Sequence, residues 1–309
     1  MQNTKNIFIE KKEKFLEQLQ GKTLKYKRYS KAPIRYGGGK SLAVGIIVEY
    51  FPNDLKRLIS PFIGGGSVEV ASAIELGIEV RASDIFDILV NFWQTLINNN
   101  DELYNSLILL KPTKQNYEYI KTELTKHYKK EIKLDPLTLA KYYYFNFNLS
   151  YGPGFLGWMS KIYEDDIKYM KLLEKLKELK NINMKVECQS FEEAFKIYEN
   201  DFFYCDPPYF LDGDSKMFKG IYPMRNFPIH HNGFDHEKLA TLLKQHKGKF
   251  ILSYNDCEFV RETYKNFKII DVSWQYTMGQ GETRIGKNRI LSNNMTNIKQ
   301  SHELLIIKE

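Results

Sequence analysis

Between residues 58 and 84 the chain sets a strand, a glycine turn, a helix, a second strand and an acid in immediate succession, and few folds accommodate that order. Leu58-Ile59-Ser60-Pro61-Phe62 is an apolar run of strand length. Ile63-Gly64-Gly65-Gly66-Ser67 follows as a tight turn, Val68 to Leu76 has helical spacing, and Ile78 to Ala82 reads as a second strand ending at Ser83-Asp84. Two strands joined by one helix through short loops make a βαβ unit with parallel strands. Glycines at the first turn permit positive φ and let a ligand approach the backbone. The helix beginning there offers N–H groups that lack an intrahelical partner. An acid at the end of the next strand is placed to accept hydrogen bonds from ribose hydroxyls. A loop that needs glycine only for its own turn has the same sequence, so the turn alone leaves both readings open.

The residues around the turn narrow the ligand. A dinucleotide site requires G-x-G-x-x-G and an acid about 20 residues later. Gly64 and Gly66 supply the first pair, but the third position holds Glu69. Its side chain obstructs the close packing that glycine permits there and repels a pyrophosphate. It tolerates a cationic sulfonium, so the turn favours S-adenosyl-L-methionine over NAD. Gly39-Lys40-Ser41 matches the end of a phosphate-binding loop, but the first glycine of that motif would fall at Ile34 and no strand leads into it. A nucleoside triphosphatase is therefore disfavoured.

The period then changes along the chain. Ile7, Phe8, Phe15, Leu16 and Leu19 sit at helical spacing, Ala32 to Lys40 is a loop, and Ser41 to Tyr50 is a helix. From Phe92 to Asn181 lysine, tyrosine and leucine recur at helical spacing, interrupted by an irregular loop over Asn146 to Trp158. Strand-length runs return at Met184–Cys188, Phe202–Cys205, Phe250–Ser253, Lys268–Val272 and Leu304–Ile307. The sequence thus predicts an α/β, Rossmann-like core at 31–92 and 182–309, a helical insert at 93–181 and a helical extension at 1–30. With 309 residues, 43% of them hydrophobic, there is material for a sizeable core and a smaller second unit.

Cys188, Cys205 and Cys257 have no CxxC or Cys/His ligand spacing, so no metal is expected and the three read as small buried hydrophobes in a reducing compartment. The charged amino-terminal stretch is unlike a signal peptide, and no segment approaches the ~20 apolar residues of a membrane span. A soluble, cytoplasmic protein is expected. A net charge of +7 suits a polyanionic partner without requiring one.

Asp206-Pro207-Pro208-Tyr209 closes the apolar run Phe202-Phe203-Tyr204-Cys205. Two prolines remove two backbone donors and stiffen the chain. Asp206 and a prolyl carbonyl can accept hydrogen bonds from an exocyclic amino group, while Tyr209 can stack on the ring that bears it. An ordinary strand-end turn with a capping aspartate has the same residues.

Taken in order, these motifs resemble those of the Dam-type adenine-N6 DNA methyltransferases. Ile34-Arg35-Tyr36-Gly37-Gly38-Gly39-Lys40 is similar to that family's x-K-W-x-G-G-K, Pro61 to Ser67 to its E-P-F-x-G-x-G-S, Ala82-Ser83-Asp84-Ile85 to its x-x-D-I/L-N, and Asp206 to Tyr209 to its D-P-P-Y. Ile251 to Asp256 resembles its later strand ending near Ser-Asn, and Arg284 followed by Glu303-Leu304-Leu305 resembles its closing segment. Ser60, Phe86 and Ser190 depart from the family's Glu, Asn and Asp. The resemblance implies an S-adenosyl-L-methionine-dependent methyltransferase core with an inserted target-recognition domain, acting on double-stranded DNA. It assigns cofactor contacts to Tyr36, Lys40, Phe62, Gly64, Gly66, Asp84, Phe191 and Asp206, and the transfer itself to Asp206, Pro207, Pro208 and Tyr209. The aromatic stretch from Tyr142 to Gly152 resembles the family's lead-in to a DNA-contacting hairpin, which makes Asn146, Asn148, Ser150 and Tyr151 candidate DNA contacts. Lys126, Lys129, Lys130 and Lys133 suit a phosphate backbone or a solvated helix face equally. Arg284, Lys287 and Arg289 form a second basic loop expected to touch DNA. Gly154-Phe155-Leu156-Gly157-Trp158 either helps fill the gap left by a flipped base or is a loop anchored by two aromatics.

Three other readings stand beside this one. A cytosine-N4 methyltransferase uses the same corner but more often carries Ser in place of Asp206. An RNA or protein amino-methyltransferase would more usually have N-P-P-Y. A catalytically idle DNA-binding module is opposed by the intact Asp206 and glycine turn. No nuclease motif is present, so a cognate restriction endonuclease would be a separate chain.

Overall fold

The structure, a computed structural model, describes residues 2–22, 25–151, 154–210, 233–272 and 303–309. Among them, seven strands form one sheet: β1 (Arg57–Ser60), β2 (Glu79–Asp84), β3 (Met184–Cys188), β4 (Phe202–Cys205), β5 (Phe250–Asn255), β6 (Lys268–Val272) and β7 (Glu303–Lys308). Their order is β3-β2-β1-β4-β5-β7-β6. The first five are parallel, and β7 runs antiparallel between β5 and β6. All four residues of β4 and all six of β5 are buried, as expected where helices cover both faces of a parallel sheet.

Chain direction across the sheet explains where a site must lie. From β1 the chain steps to β2 and β3 on one side, then returns to β4 on the other side of β1, with Leu58 opposite Phe202 and Ile59 opposite Phe203. Such a reversal leaves a crevice beyond the carboxyl ends of the two central strands. The glycine turn leaves β1 there and Asp206 leaves β4 there.

Eleven helices surround the sheet among the described residues: α1 (Gln2–Leu19), α2 (Val44–Glu49), α3 (Ser67–Ile74), α4 (Asp87–Asn98), α5 (Asn100–Ile108), α6 (Lys114–Tyr128), α7 (Pro136–Leu149), α8 (Asp166–Lys177), α9 (Phe191–Ile197), α10 (His236–Gln245) and α11 (Glu258–Thr263). Helices α4 to α8 form the insert between β2 and β3. Thr113, Asp135 and Asp165 cap α6, α7 and α8 by accepting from backbone N–H groups of the first turn. Helix α4 also belongs to the sheet layer. Its Trp93 is fully buried and donates to the Gly64 carbonyl at 3.1 Å, and Gln94 donates to the Val186 carbonyl at 2.9 Å. Phe92, Tyr143, Tyr144 and Phe145 share one apolar core with Val80 and Val186, so insert and sheet pack as a unit. Phe8, Phe15 and Leu19 of α1 join the same core, and the buried Lys12 ammonium donates to the Phe51 carbonyl at 2.6 Å.

Two expectations are corrected here. Helix α7 continues to Leu149, so the irregular segment expected from Asn146 starts later. Cys205 is buried as expected, but Cys188 is exposed at the end of β3 and Cys257 is half-buried.

Candidate active site

Three segments converge at the crevice: Ile63–Gly66 after β1, Asp206–Tyr209 after β4, and Tyr36–Lys40 ahead of α2. They line a cavity of about 420 Å³.

The glycine turn is built for the fold before any ligand arrives. Gly64 and Gly66 have φ of 44° and 64°, in the left-handed region. A Cβ on Gly66 would lie 2.5 Å from the Trp93 ring, and one on Gly64 would lie 3.0 Å from the Tyr36 ring. Asp84, ending β2, accepts from the Phe86 N–H at 3.0 Å and from the Gly64 N–H at 3.4 Å. The acid therefore also fastens the turn that follows β1.

At the other end, Lys40 Nζ lies 2.6 Å from Asp206 Oδ1. The lysine side chain is 3% exposed, donates to the Gly38 carbonyl at 3.0 Å, and holds its ammonium 4.9 Å from the Tyr209 ring centre. Burial pushes the Asp206 carboxyl above the usual carboxylate range, and Lys40 pulls it back. Tyr209 donates its hydroxyl to the carboxylate of Glu303, which is buried at the head of β7. Its ring is tilted against Tyr254 at 6.2 Å. Asn255 donates to the Phe210 carbonyl at 2.9 Å, so β5 and β7 clamp this corner together.

Between the two ends the cavity is acidic. Glu69, Asp84, Glu192, Asp206 and Asp235 line it, and Lys40 is the one base among the described lining residues. In a chain of net charge +7 this is a local inversion of sign. Such a lining repels phosphate and attracts a cation. Glu69, the position that spoils a dinucleotide fingerprint, is 2% exposed and accepts from Ser60 Oγ at 2.5 Å. Burial pushes its carboxyl up to about 7, Asp206 adds to the rise, and the Ser60 bond and Lys40 oppose it. The far wall is aromatic: Phe62 lies 5.6 Å from Phe191 and 5.7 Å from Phe234, with Phe191 and Phe234 5.3 Å apart between ring centres.

An aspartate corner suited to an amino group agrees with what comparison with known proteins finds. The description of the D12 class N6 adenine-specific DNA methyltransferases matches residues 36–278. The chain belongs to that family. It is similar to the type II methyltransferase M.FokI of Planomicrobium okeanokoites, 28% identical over 195 residues that cover 59% of this chain and 29% of that protein. It is also similar to the DNA adenine methylase of Haemophilus influenzae, 24% identical over 290 residues that cover 87% of this chain and 96% of the relative. The chain thus spans under a third of the first relative and nearly all of the second.

In this D12 family member, the residues expected to hold cofactor and substrate gather around one cavity: Tyr36, Lys40, Phe62, Gly64, Gly66, Asp84, Phe191 and Asp206 to Tyr209 all line it. The expected DNA contacts do not stay together. Asn146, Asn148 and Ser150 are fully buried. Asn146 accepts from the Leu156 N–H at 2.8 Å; Asn148 accepts from the Arg35 N–H at 3.1 Å and donates to the Pro33 carbonyl at 3.4 Å; Ser150 donates to the Phe147 carbonyl at 2.8 Å. The prolongation of α7 turns these polar side chains inward: Asn148 bolts the insert to the loop that carries Tyr36 and Lys40, while Asn146 and Ser150 tie the insert to itself. Arg35 completes the joint by donating to the carbonyls of Asn148 at 2.5 Å and Ser150 at 3.0 Å, and Tyr36 stacks on Phe147 at 5.6 Å. Of the four, Tyr151 alone is exposed, at 54%. It pairs with Trp158 across a short hairpin, Tyr151 N–H to Trp158 carbonyl at 2.5 Å, and Trp158 is 72% exposed. Phe155 and Leu156 of the same segment are buried. Arg284, Lys287 and Arg289 lie outside the described residues.

Sequence reasoning passed over Phe234, Glu303 as the anchor of Tyr209, and the pairing of Glu69 with Ser60. The last had a visible signal: the serine that replaces the family's glutamate lies nine residues before an unexpected glutamate, a separation that the glycine turn and the first turn of α3 close.

Proposed function

We propose that this chain transfers the methyl group of S-adenosyl-L-methionine to N6 of an adenine flipped out of duplex DNA. The observation that carries the reading is the acidic cavity joining the glycine turn to the Asp206 corner. A methyl donor with a positive sulfur fits that lining, whereas a dinucleotide pyrophosphate does not. Tyr36, the glycine turn and the aromatic wall of Phe62 and Phe191 would hold the donor, which supplies an electrophilic methyl already activated by its charge.

The remaining work falls to Asp206 and its neighbours. The adenine amino nitrogen is a poor nucleophile because its lone pair is delocalised into the ring. Asp206, whose carboxylate form Lys40 favours against burial, accepts one amino N–H and the Pro207 carbonyl accepts the other. This directs the lone pair out of the ring plane towards the donor side of the cavity. Tyr209, fixed through Glu303, offers its ring to the base. The proton leaving N6 is taken at the Asp206 carboxylate. Unstacking the base costs a few kcal/mol. The exposed Trp158, with the Lys121 ammonium 5.5 Å from its ring, and Tyr151 present an aromatic and basic edge that offsets this cost on the DNA. Lys129, Lys130 and Lys133 are exposed for phosphate contact. Among the described residues no helix is long and apolar enough to cross a membrane.

Expression in a methylation-free host, followed by single-molecule sequencing of the host DNA, tests the reading. N6-methyladenine in one short sequence context is the result expected, and Asp206→Ala should abolish it while DNA binding persists. N4-methylcytosine, or unchanged methylation in the Asp206→Ala variant, overturns it.

A further inference from the structure

We propose that Glu69 is the charge sensor of the donor cavity, a buried carboxyl that ionises when the sulfonium donor binds and makes the protein hold that donor more tightly than the neutral thioether product. The proposal rests on the reading that the cavity takes S-adenosyl-L-methionine, and it concerns how the cavity tells donor from spent donor.

The geometry isolates Glu69 as the unbalanced charge. Among the described residues three groups act on it besides its own backbone N–H: Ser60 at the end of β1, Asp206 after β4 and Lys40 ahead of α2. Asp206 and Lys40 already neutralise each other at 2.6 Å. Ser60 brings a hydroxyl and no charge. The other acids of the cavity are engaged or open to solvent. Asp84 binds the N–H groups of Gly64 and Phe86, Glu192 is half-buried, and Asp235 is exposed and caps α10 through the Lys238 N–H at 2.8 Å. Among the described residues, Glu69 alone combines near-complete burial with a place on the cavity wall and no cation of its own. It also reaches back to residue 60, where the resembled family carries a glutamate and this chain a serine. A carboxyl therefore sits beside that position although the strand does not supply it.

Burial pushes the Glu69 carboxyl up to about 7, so it changes charge within the neutral range in the free protein. A positive sulfur entering the cavity favours the ionised form, so binding expels a proton to solvent. Loss of the methyl removes that charge while leaving the rest of the molecule alike, and the carboxyl takes a proton back. By linkage, donor affinity should fall about tenfold from pH 8 to pH 6, and product affinity should stay level.

Isothermal titration of the full chain with S-adenosylmethionine and with S-adenosylhomocysteine reads this directly. It is run at pH 6 and pH 8 in two buffers of different ionisation enthalpy. Wild type should release a fraction of a proton with the donor and none with the product. Glu69→Gln should abolish both the proton release and the pH slope, lowering the donor-to-product ratio at pH 8 about tenfold. Ser60→Ala removes a bond that favours the carboxylate and should move the midpoint to higher pH. A slope that persists in Glu69→Gln, or equal slopes for the two ligands, overturns the sensor and leaves the cofactor reading intact. Failure of wild type to bind either ligand overturns the cofactor reading itself. Where Glu69→Gln does not fold by circular dichroism, an unmoved midpoint in Ser60→Ala overturns the sensor.

Discussion

Replacing Lys40 with methionine removes the cation from a buried ion pair and leaves its partner behind. Asp206 then loses the ammonium 2.6 Å from its Oδ1, the cation that opposes its burial. Breaking such a pair from one side costs about 3–5 kcal/mol. The carboxyl has an escape, which sets a ceiling. It can take up a proton, and at pH 7, roughly three units above its ordinary 3.8, that costs about 4 kcal/mol. Its side chain is 21% exposed, which favours the lower end of the range. Lys40→Met should therefore destabilise the protein by about 3 kcal/mol at pH 7. The sign of the pH dependence follows from the same pair. Burial raises Asp206 and Lys40 lowers it, so the variant's carboxyl titrates higher still. A raised carboxyl contributes its stability fully below its unfolded-state value and loses it as pH rises through the folded value. The gap between wild type and Lys40→Met should be small near pH 4 and complete by pH 8. Urea unfolding at both pH values measures it, with Lys40→Met/Asp206→Asn as the control that removes the stranded charge and recovers most of the loss. A gap of equal size at both pH values, or no recovery in the double variant, refutes the reasoning.

Gly66→Ala forces a side chain into left-handed backbone with its Cβ 2.5 Å from Trp93, and should cost about 2–4 kcal/mol, read as a lowered urea midpoint. Trp158→Ala should weaken duplex DNA binding by about 1–3 kcal/mol in fluorescence anisotropy while donor binding is unchanged, because the ring is exposed on the hairpin and does not line the cavity. Glu303→Gln keeps the shape but exchanges a charged acceptor for a neutral one beneath Tyr209. Steady-state kinetics should show kcat falling with donor KM held, and a parallel rise in KM would place Glu303 in donor binding instead.

The chain's periodicity made the sheet legible because parallel strands buried on both faces are short and almost wholly apolar, as Phe202-Phe203-Tyr204-Cys205 shows. The cavity was legible because its parts are backbone devices: glycines in left-handed geometry, a proline pair, and acids at strand ends. The DNA contacts were less so. Asn146, Asn148 and Ser150 have the chemistry of a DNA reader and the burial of a structural bolt, and only the four further residues of α7 decide which way they point. Glu303 lies 94 residues from Tyr209 in sequence, so no local pattern signals their hydrogen bond. Glu69 was noticed as a misfit in a dinucleotide motif, but its role depends on Ser60, Asp206 and Lys40 arriving from three other segments.

The placement of β7 bears on how the molecule is made. Among the described residues strand β6 pairs with β7 alone, yet β7 is synthesised after it and must slot between β6 and β5. On the ribosome the parallel half of the sheet can assemble as it emerges, while β6 waits without a neighbour. Docking of β7 is a late step that closes long loops, and such steps are slow. The same step delivers Glu303 to Tyr209. A nascent chain thus carries every residue of the Asp206 corner before β7 brings the carboxylate that anchors Tyr209.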